Sequence, residues 1–152
     1  MDEAVIERMF FLEGTPAFSR CDVDDLAALA NVAKERTFDA GEAVFREGEE
    51  GDAIFLVVDG RIDLVRGERV ALTVGPRGCL GETCLLEGAA RPATAIAAGA
   101  PARLLVLDRQ VLLELVADRP ELLRSLFASA SAHLHALIEG GSPGADDGRA
   151  TG

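Results

Sequence analysis

Ala53 to Val74 reads Ala-Ile-Phe-Leu-Val-Val-Asp-Gly-Arg-Ile-Asp-Leu-Val-Arg-Gly-Glu-Arg-Val-Ala-Leu-Thr-Val, and this stretch decides the fold class. Ala53–Val58 is a branched, apolar run of strand length. Asp59-Gly60 follows as a two-residue hairpin turn of the kind that needs φ > 0. Arg61–Val65 alternates polar and apolar, and Val70, Leu72 and Val74 alternate again, the period of a strand with one buried face. Working outward, glycines recur at 41, 48, 51, 60, 67, 75, 78, 81 and 88, and Ala93–Ala98 and Arg103–Leu107 supply two more strands. Many short strands punctuated by turns predict a barrel or sandwich, not a parallel α/β sheet. The strands share no repeated motif, which excludes a solenoid.

Helical periodicity flanks this zone on both sides. Residues 1–40 read as helical, with Val5, Ile6, Met9 and Phe10 at helical spacing and Gly14-Thr15-Pro16 ending the first segment. A second helix starts near Asp22. Asp22, Asp24 and Asp25 crowd its first turn, where carboxylates suit the positive end of the helix dipole, so capping explains them without a metal. Leu26, Leu29, Ala30 and Ala33 form its buried stripe. Beyond the strands, Asp108 caps a helix through Val116, with Val111, Leu112 and Leu115 facing inward. Pro120 suits the first turn of a last helix running to about Glu139. Its apolar positions Leu123, Phe127, Ala130, Leu134 and Leu137 make a heptad-like seam, which either packs on its own barrel or forms a homodimer interface. One domain is therefore expected over 1–139, with helices over 1–40, a β-roll over 41–107 and helices over 108–139. A Gly-rich, disordered tail is expected over 140–152.

Composition narrows the function classes. The chain has 152 residues with 26 acidic and 15 basic, a formal net charge of −11, and 49% hydrophobic residues. This suffices for a packed core. The charge balance argues against nucleic acid and against an anionic membrane surface. No apolar run reaches the roughly 20 residues of a membrane helix, and the Met-Asp-Glu start lacks a signal-peptide n-region. Cys21, Cys79 and Cys84 read as free thiols of a cytoplasmic protein. His133 and His135 lie two apart on a helix and face different ways, so no metal site is expected. No catalytic triad order or nucleophile elbow is present, and no enzyme is expected.

The segment carrying chemistry is Gly81–Thr94: Gly-Glu-Thr-Cys-Leu-Leu-Glu-Gly-Ala-Ala-Arg-Pro-Ala-Thr. Gly81 permits close backbone approach to a ligand. Thr83–Leu86 can form one turn whose free N–H groups favour an anion. Arg91 is the segment's cation and suits a phosphate. Glu82 would repel a phosphate and so needs a donor on the same ligand, such as a ribose hydroxyl. Together they suggest a sugar phosphate. Alternatively, Glu82 and Arg91 pair with each other in an unliganded module.

Gly81–Thr94 resembles the phosphate-binding cassette of cyclic nucleotide-binding domains, in which Gly-Glu-x-Ala/Cys-Leu precedes an Arg nine residues after the Glu. Phe45-Arg46-Glu47-Gly48-Glu49, Gly51-Asp52 and Val58-Asp59-Gly60 resemble that family's entry strands and turn, and the likeness spans about residues 15–138. It implies a mainly β fold, a jelly-roll-like double-stranded β-helix with an N-terminal helical bundle and C-terminal lid helices. By residue, the resemblance implies that Glu82 accepts from the ribose 2′-hydroxyl and that Arg91 pairs with the cyclic phosphate. Gly81, Thr83 and Cys84 would offer backbone donors or close approach, Ala93 would pack beneath the sugar phosphate, and Leu64, Leu72 and Val74 would line the base pocket.

Pro92 departs from the family, which has Ala, Ser or Thr there with a backbone N–H bound to the phosphate. Proline has no N–H, and one lost charge-assisted bond costs about 1.5–3 kcal/mol. Pro92 also lacks the hydroxyl that accompanies cyclic GMP preference, so cyclic AMP is expected over cyclic GMP. The resemblance thus implies a cytoplasmic, non-enzymatic sensor, or a regulatory domain fused to or associated with an effector. The alternative is a ligand-free assembly module.

Overall fold

A computed structural model describes residues 2–81, 90–124 and 128. Helix α1 (Glu3–Glu13) starts at Asp2, whose side chain accepts from the Ala4 N–H. A 3₁₀ turn (Pro16–Phe18) leads to α2 (Val23–Val32). Asp22 caps α2 by accepting from the Asp25 N–H at 2.8 Å, so the acidic cluster does serve the helix start. Eight strands follow: β1 (Lys34–Phe38), β2 (Ala43–Phe45), β3 (Ala53–Asp59), β4 (Ile62–Arg66), β5 (Arg69–Val74), β6 (Cys79–Leu80), β7 (Thr94–Ala97) and β8 (Ala102–Asp108). They form two four-stranded sheets, ordered β1-β8-β3-β6 and β2-β7-β4-β5. Every pairing between them is antiparallel. Helix α3 (Arg109–Val116) closes the roll, with Asp108 accepting from the Gln110 N–H at 2.9 Å. Residues 120–124 are helical again and begin at Pro120. The rest of the expected seam, Phe127, Ala130, Leu134 and Leu137, lies outside the described residues, as does the 140–152 tail.

Two sequence expectations are corrected, and two short strands go unread by period. Residues 34–38, read as helical, are strand β1, an edge strand paired only with β8. Its Lys-Glu-Arg-Thr side chains are exposed and only Phe38 is buried, so no apolar alternation announces it. Strands β2 and β6 have three and two residues, too few for a period to show. Finally, Asp59-Gly60 does not join a hairpin. It carries the chain from one sheet to the other, because β3 pairs with β8 and β6 while β4 pairs with β5 and β7. Gly60 does take φ +95°, and a Cβ there would stand 2.8 Å from the Ala102 Cα. The true two-residue hairpin is Gly67-Glu68, closed by the Arg66–Arg69 pair with Gly67 at φ +62°.

Two cores share one sheet. Along β3, Ile54 and Leu56 face the helices while Phe55 and Val57 face the barrel interior. On β8, Leu105 and Leu107 join the helical side and Leu104 the barrel side. The helical core adds Val5, Leu12, Phe18, Leu26, Leu29, Ala30 and Ala33, then Leu112 and Leu122. Of the apolar residues noted in α1, Val5 is buried and Met9 partly so, but Phe10 is 71% exposed and Ile6 40%. The inward face of α1 instead continues through Leu12.

Candidate functional site

Arg91 is the centre of the site. Its backbone is fixed by a short antiparallel contact with residues 48–50. The Arg91 N–H donates to the Glu49 carbonyl at 2.7 Å, the Gly48 N–H donates to the Arg91 carbonyl at 2.9 Å, and Ala90 bridges Glu50. This places the side chain inside the roll, where Arg91 is 3% exposed. The guanidinium lies over the Phe45 ring, 4.1 Å from its centroid, and 5.8 Å from the Phe55 centroid. A desolvated cation over an aromatic face gains from the ring quadrupole.

Among the described residues the polar contacts are few for so buried a charge. One terminal nitrogen donates to the Gly81 carbonyl at 3.2 Å, and the other donates to the Ala53 carbonyl at 3.0 Å. The second also stands 3.9 Å from the Asp52 carboxylate, whose side chain is 91% exposed. The Nε–H is buried and has no acceptor among the described residues. A guanidinium has five N–H donors in a planar fork, so this one keeps capacity for an anion. Burial of an incompletely compensated cation is costly, and an anion reaching it would relieve that cost.

Gly81 is held to glycine by this arrangement. It takes φ +89°, and a Cβ there would stand 2.5 Å from an Arg91 terminal nitrogen and 2.9 Å from the Ala53 carbonyl oxygen. Ala93 is buried and Pro92 half-buried. Thr94 accepts from the Glu47 N–H at 2.8 Å, a second tie between the two segments. Glu82, Thr83 and Cys84 lie outside the described residues.

Leu64, Leu72 and Val74 are buried together in the barrel core with Ala93, Phe45 and Phe55. The structure thus brings all three into the same interior as the site. Leu72 and Val74 also line a cavity of about 340 Å³ with Pro16, Pro76 and Arg77, but that cavity contains neither Arg91 nor Gly81. Sequence reading gave no role to Phe55, to Asp52 or to the Ala53 carbonyl. Phe55 is masked in sequence by sitting inside a wholly apolar run, and a carbonyl carries no side-chain signal.

Two groups near the start of α2 and the last helix have raised pKa values. The Cys21 thiol is pushed up to about 12 by burial and then by Asp25, Asp22 and Glu121. Arg119, just before the last helix, forms an ion pair with Asp25 of α2, and this hydrogen bond raises its pKa. Among the described residues no group of His, Cys, Asp or Glu side chains could hold a metal ion, and no helix is long and apolar enough to cross a membrane.

The profile of the cyclic nucleotide-binding domain matches residues 35–119. The chain belongs to that family. It is 34% identical over 81 residues to the cAMP-dependent protein kinase regulatory subunit of Eremothecium gossypii, covering 53% of this chain and 18% of that protein. It is 30% identical over 114 residues to a CRP-like cAMP-activated global transcriptional regulator of Mycobacterium tuberculosis, covering 72% and 50%. The regulatory domain of Toxoplasma gondii PKA, solved with cAMP, superposes with a TM-score of 0.69 at 28% identity, covering 76% of this chain and 46% of that one. The chain therefore spans half or less of the length of these relatives. The antiparallel roll with flanking helices is the fold that the family resemblance implies.

Proposed function

We propose that the chain is a non-enzymatic cytoplasmic sensor domain that binds a cyclic nucleotide, cyclic AMP in preference to cyclic GMP. The observation that carries this reading is Arg91: a buried guanidinium, seated on Phe45, with an Nε–H that has no acceptor among the described residues. The ligand's phosphate meets that guanidinium. Glu82 accepts from the ribose 2′-hydroxyl, Gly81, Thr83 and Cys84 give close approach or backbone donors, and Ala93 packs beneath the sugar. Leu64, Leu72 and Val74 contact the base. The last helix, which begins at Pro120, relays binding to an associated effector or a second copy, to the extent that ligand affinity differs between its positions.

A second reading is a ligand-free assembly module. Two observations favour it: both terminal nitrogens of Arg91 already donate to carbonyls, and Pro92 has no N–H to give. Calorimetry with cyclic AMP and cyclic GMP on the wild type and Arg91→Lys separates the two. Saturable heat with cyclic AMP, lost or weakened at least tenfold in the variant, is the sensor's result. No heat at millimolar ligand leaves the assembly module.

A further inference from the structure

The outward strip of α1 is apolar and acidic at once. Ile6 and Phe10 stand exposed one turn apart, and Phe10 is the most exposed large apolar residue among those described. Glu3, Glu7 and Glu13 are also exposed and share the strip, which covers about a third of the helix circumference. The opposite face is committed. Val5 and Leu12 are buried in the helical core, with Met9 packed against it. Arg8, the cation of this helix, donates to the Ala30 and Ala33 carbonyls at 3.4 and 3.2 Å, at the end of α2. Arg103, which shares a groove with Glu7, pairs with Glu35, and Arg77 lies against Gly14, past the helix end. Among the described residues none of Glu3, Glu7 and Glu13 has an ion pair.

Much of this strip does nothing for the fold. Exposed Ile and Phe side chains leave apolar surface in water. Glu3 suits the first turn, but Glu13 closes the helix where the macrodipole repels a carboxylate, and the last turn has no basic residue to offset it. A partner that covers the strip removes the apolar surface from water and meets the three glutamates. A second copy fits badly, because two such strips face to face set glutamates against glutamates in a chain of net charge −11. An anionic bilayer is repelled for the same reason. An i, i+4 apolar pair is a ridge across which another helix packs. We propose that the outward strip of α1 is a docking surface for a basic amphipathic helix. Its apolar residues cover Ile6 and Phe10, and its Lys or Arg side chains meet Glu3, Glu7 and Glu13. No ligand at Arg91 is required for it.

The test titrates the full chain into a labelled Leu–Lys peptide of about 18 residues, about five helical turns with Leu at i, i+3, i+4 spacing, and follows fluorescence anisotropy. Two control peptides carry Glu in place of Lys or Ser in place of Leu. The wild type should bind the Leu–Lys peptide at least about tenfold more tightly than either control. Ile6→Ser with Phe10→Ser should weaken binding about tenfold or more, and Phe10→Gln alone about threefold. Glu3→Gln, Glu7→Gln and Glu13→Gln together should weaken it about three- to tenfold and flatten its salt dependence. Equal neutralisation at the exposed Glu47, Glu50 and Glu68 should shift it by less than about twofold. No binding of the Leu–Lys peptide at about 0.1 mM protein, or equal affinity in the wild type and both Phe10 variants, overturns the proposal. Equal loss from the two triple-glutamine variants also overturns it, because the attraction is then one of net charge. Self-association in sedimentation that the Phe10 variants abolish gives the strip to a second copy. Binding to neutral phosphatidylcholine vesicles that they abolish gives it to a bilayer. Either result overturns the basic helix.

Discussion

A guanidinium at 3% exposure has given up its water, and among the described residues two main-chain carbonyls, an aromatic face and a carboxylate at 3.9 Å stand in for it. One of those carbonyls belongs to Gly81, so the glycine and the arginine hold one another in place. Gly81→Ala forces a side chain into the left-handed region and into the Arg91 nitrogen. It should lower unfolding stability by about 1–3 kcal/mol in urea titration. It should also reduce cyclic AMP affinity at least as much as Arg91→Lys does. Pro92→Ala works in the opposite direction. It restores an N–H beside the cation, and calorimetry should show cyclic AMP binding about tenfold to a hundredfold tighter. Unchanged or weaker affinity would show that no phosphate contact is missing there. That Arg91 is the cation of its segment and that Gly81 suits a left-handed turn could be seen in sequence, because residue type alone sets both. The parts of Phe55 and of the Ala53 carbonyl could not, since each is defined by what stands opposite it in space.

At the scale of elements, caps and breaks were the readable features. Asp22 and Asp108 start helices where the sequence places them, because an N-cap needs only its own helix to be understood. Strand existence was legible for the long apolar runs and lost for β1, whose charged residues line a sheet edge. Which strands pair was not legible at all. The Asp59-Gly60 turn looks local, yet it serves a change of sheet decided by contacts with β8, some 45 residues away. The Asp25–Arg119 pair is another long-range feature, joining α2 to the residue whose carbonyl accepts the first N–H bonds of the last helix. Asp25 is buried, and Asp22 and Asp24 flank it. Arg119→Met should therefore lower the thermal midpoint, and adding Asp25→Asn should recover part of that loss. Strictly additive losses in this double-mutant cycle would mean that the two side chains do not interact in solution.

For the whole molecule, the pH response has a defined alkaline limb. Cys21 is held protonated in the folded state, its pKa raised to about 12 from an ordinary value of 9.0. A raised pKa in an acid that is neutral when protonated contributes stability that is complete below the unfolded value and lost as pH climbs from 9 toward 12. The stability advantage of the wild type over Cys21→Ala, read from urea midpoints, should thus be smaller at about pH 10.5 than at about pH 8. A constant difference would place the thiol in a more hydrated setting than its burial implies. The helix–strand–helix division of the chain was readable from composition, whereas its two separate cores were not. A strand that is apolar on both faces gives the same sequence whether one core or two lie beside it.

That double-faced strand has a mechanical result. Phe55 stands near the Arg91 guanidinium, and its immediate neighbours Ile54 and Leu56 bear on the helices. Close-packed interiors yield little. The strand is a party wall one backbone thick, and whatever leans on it from the room containing Arg91 is felt by the furniture next door.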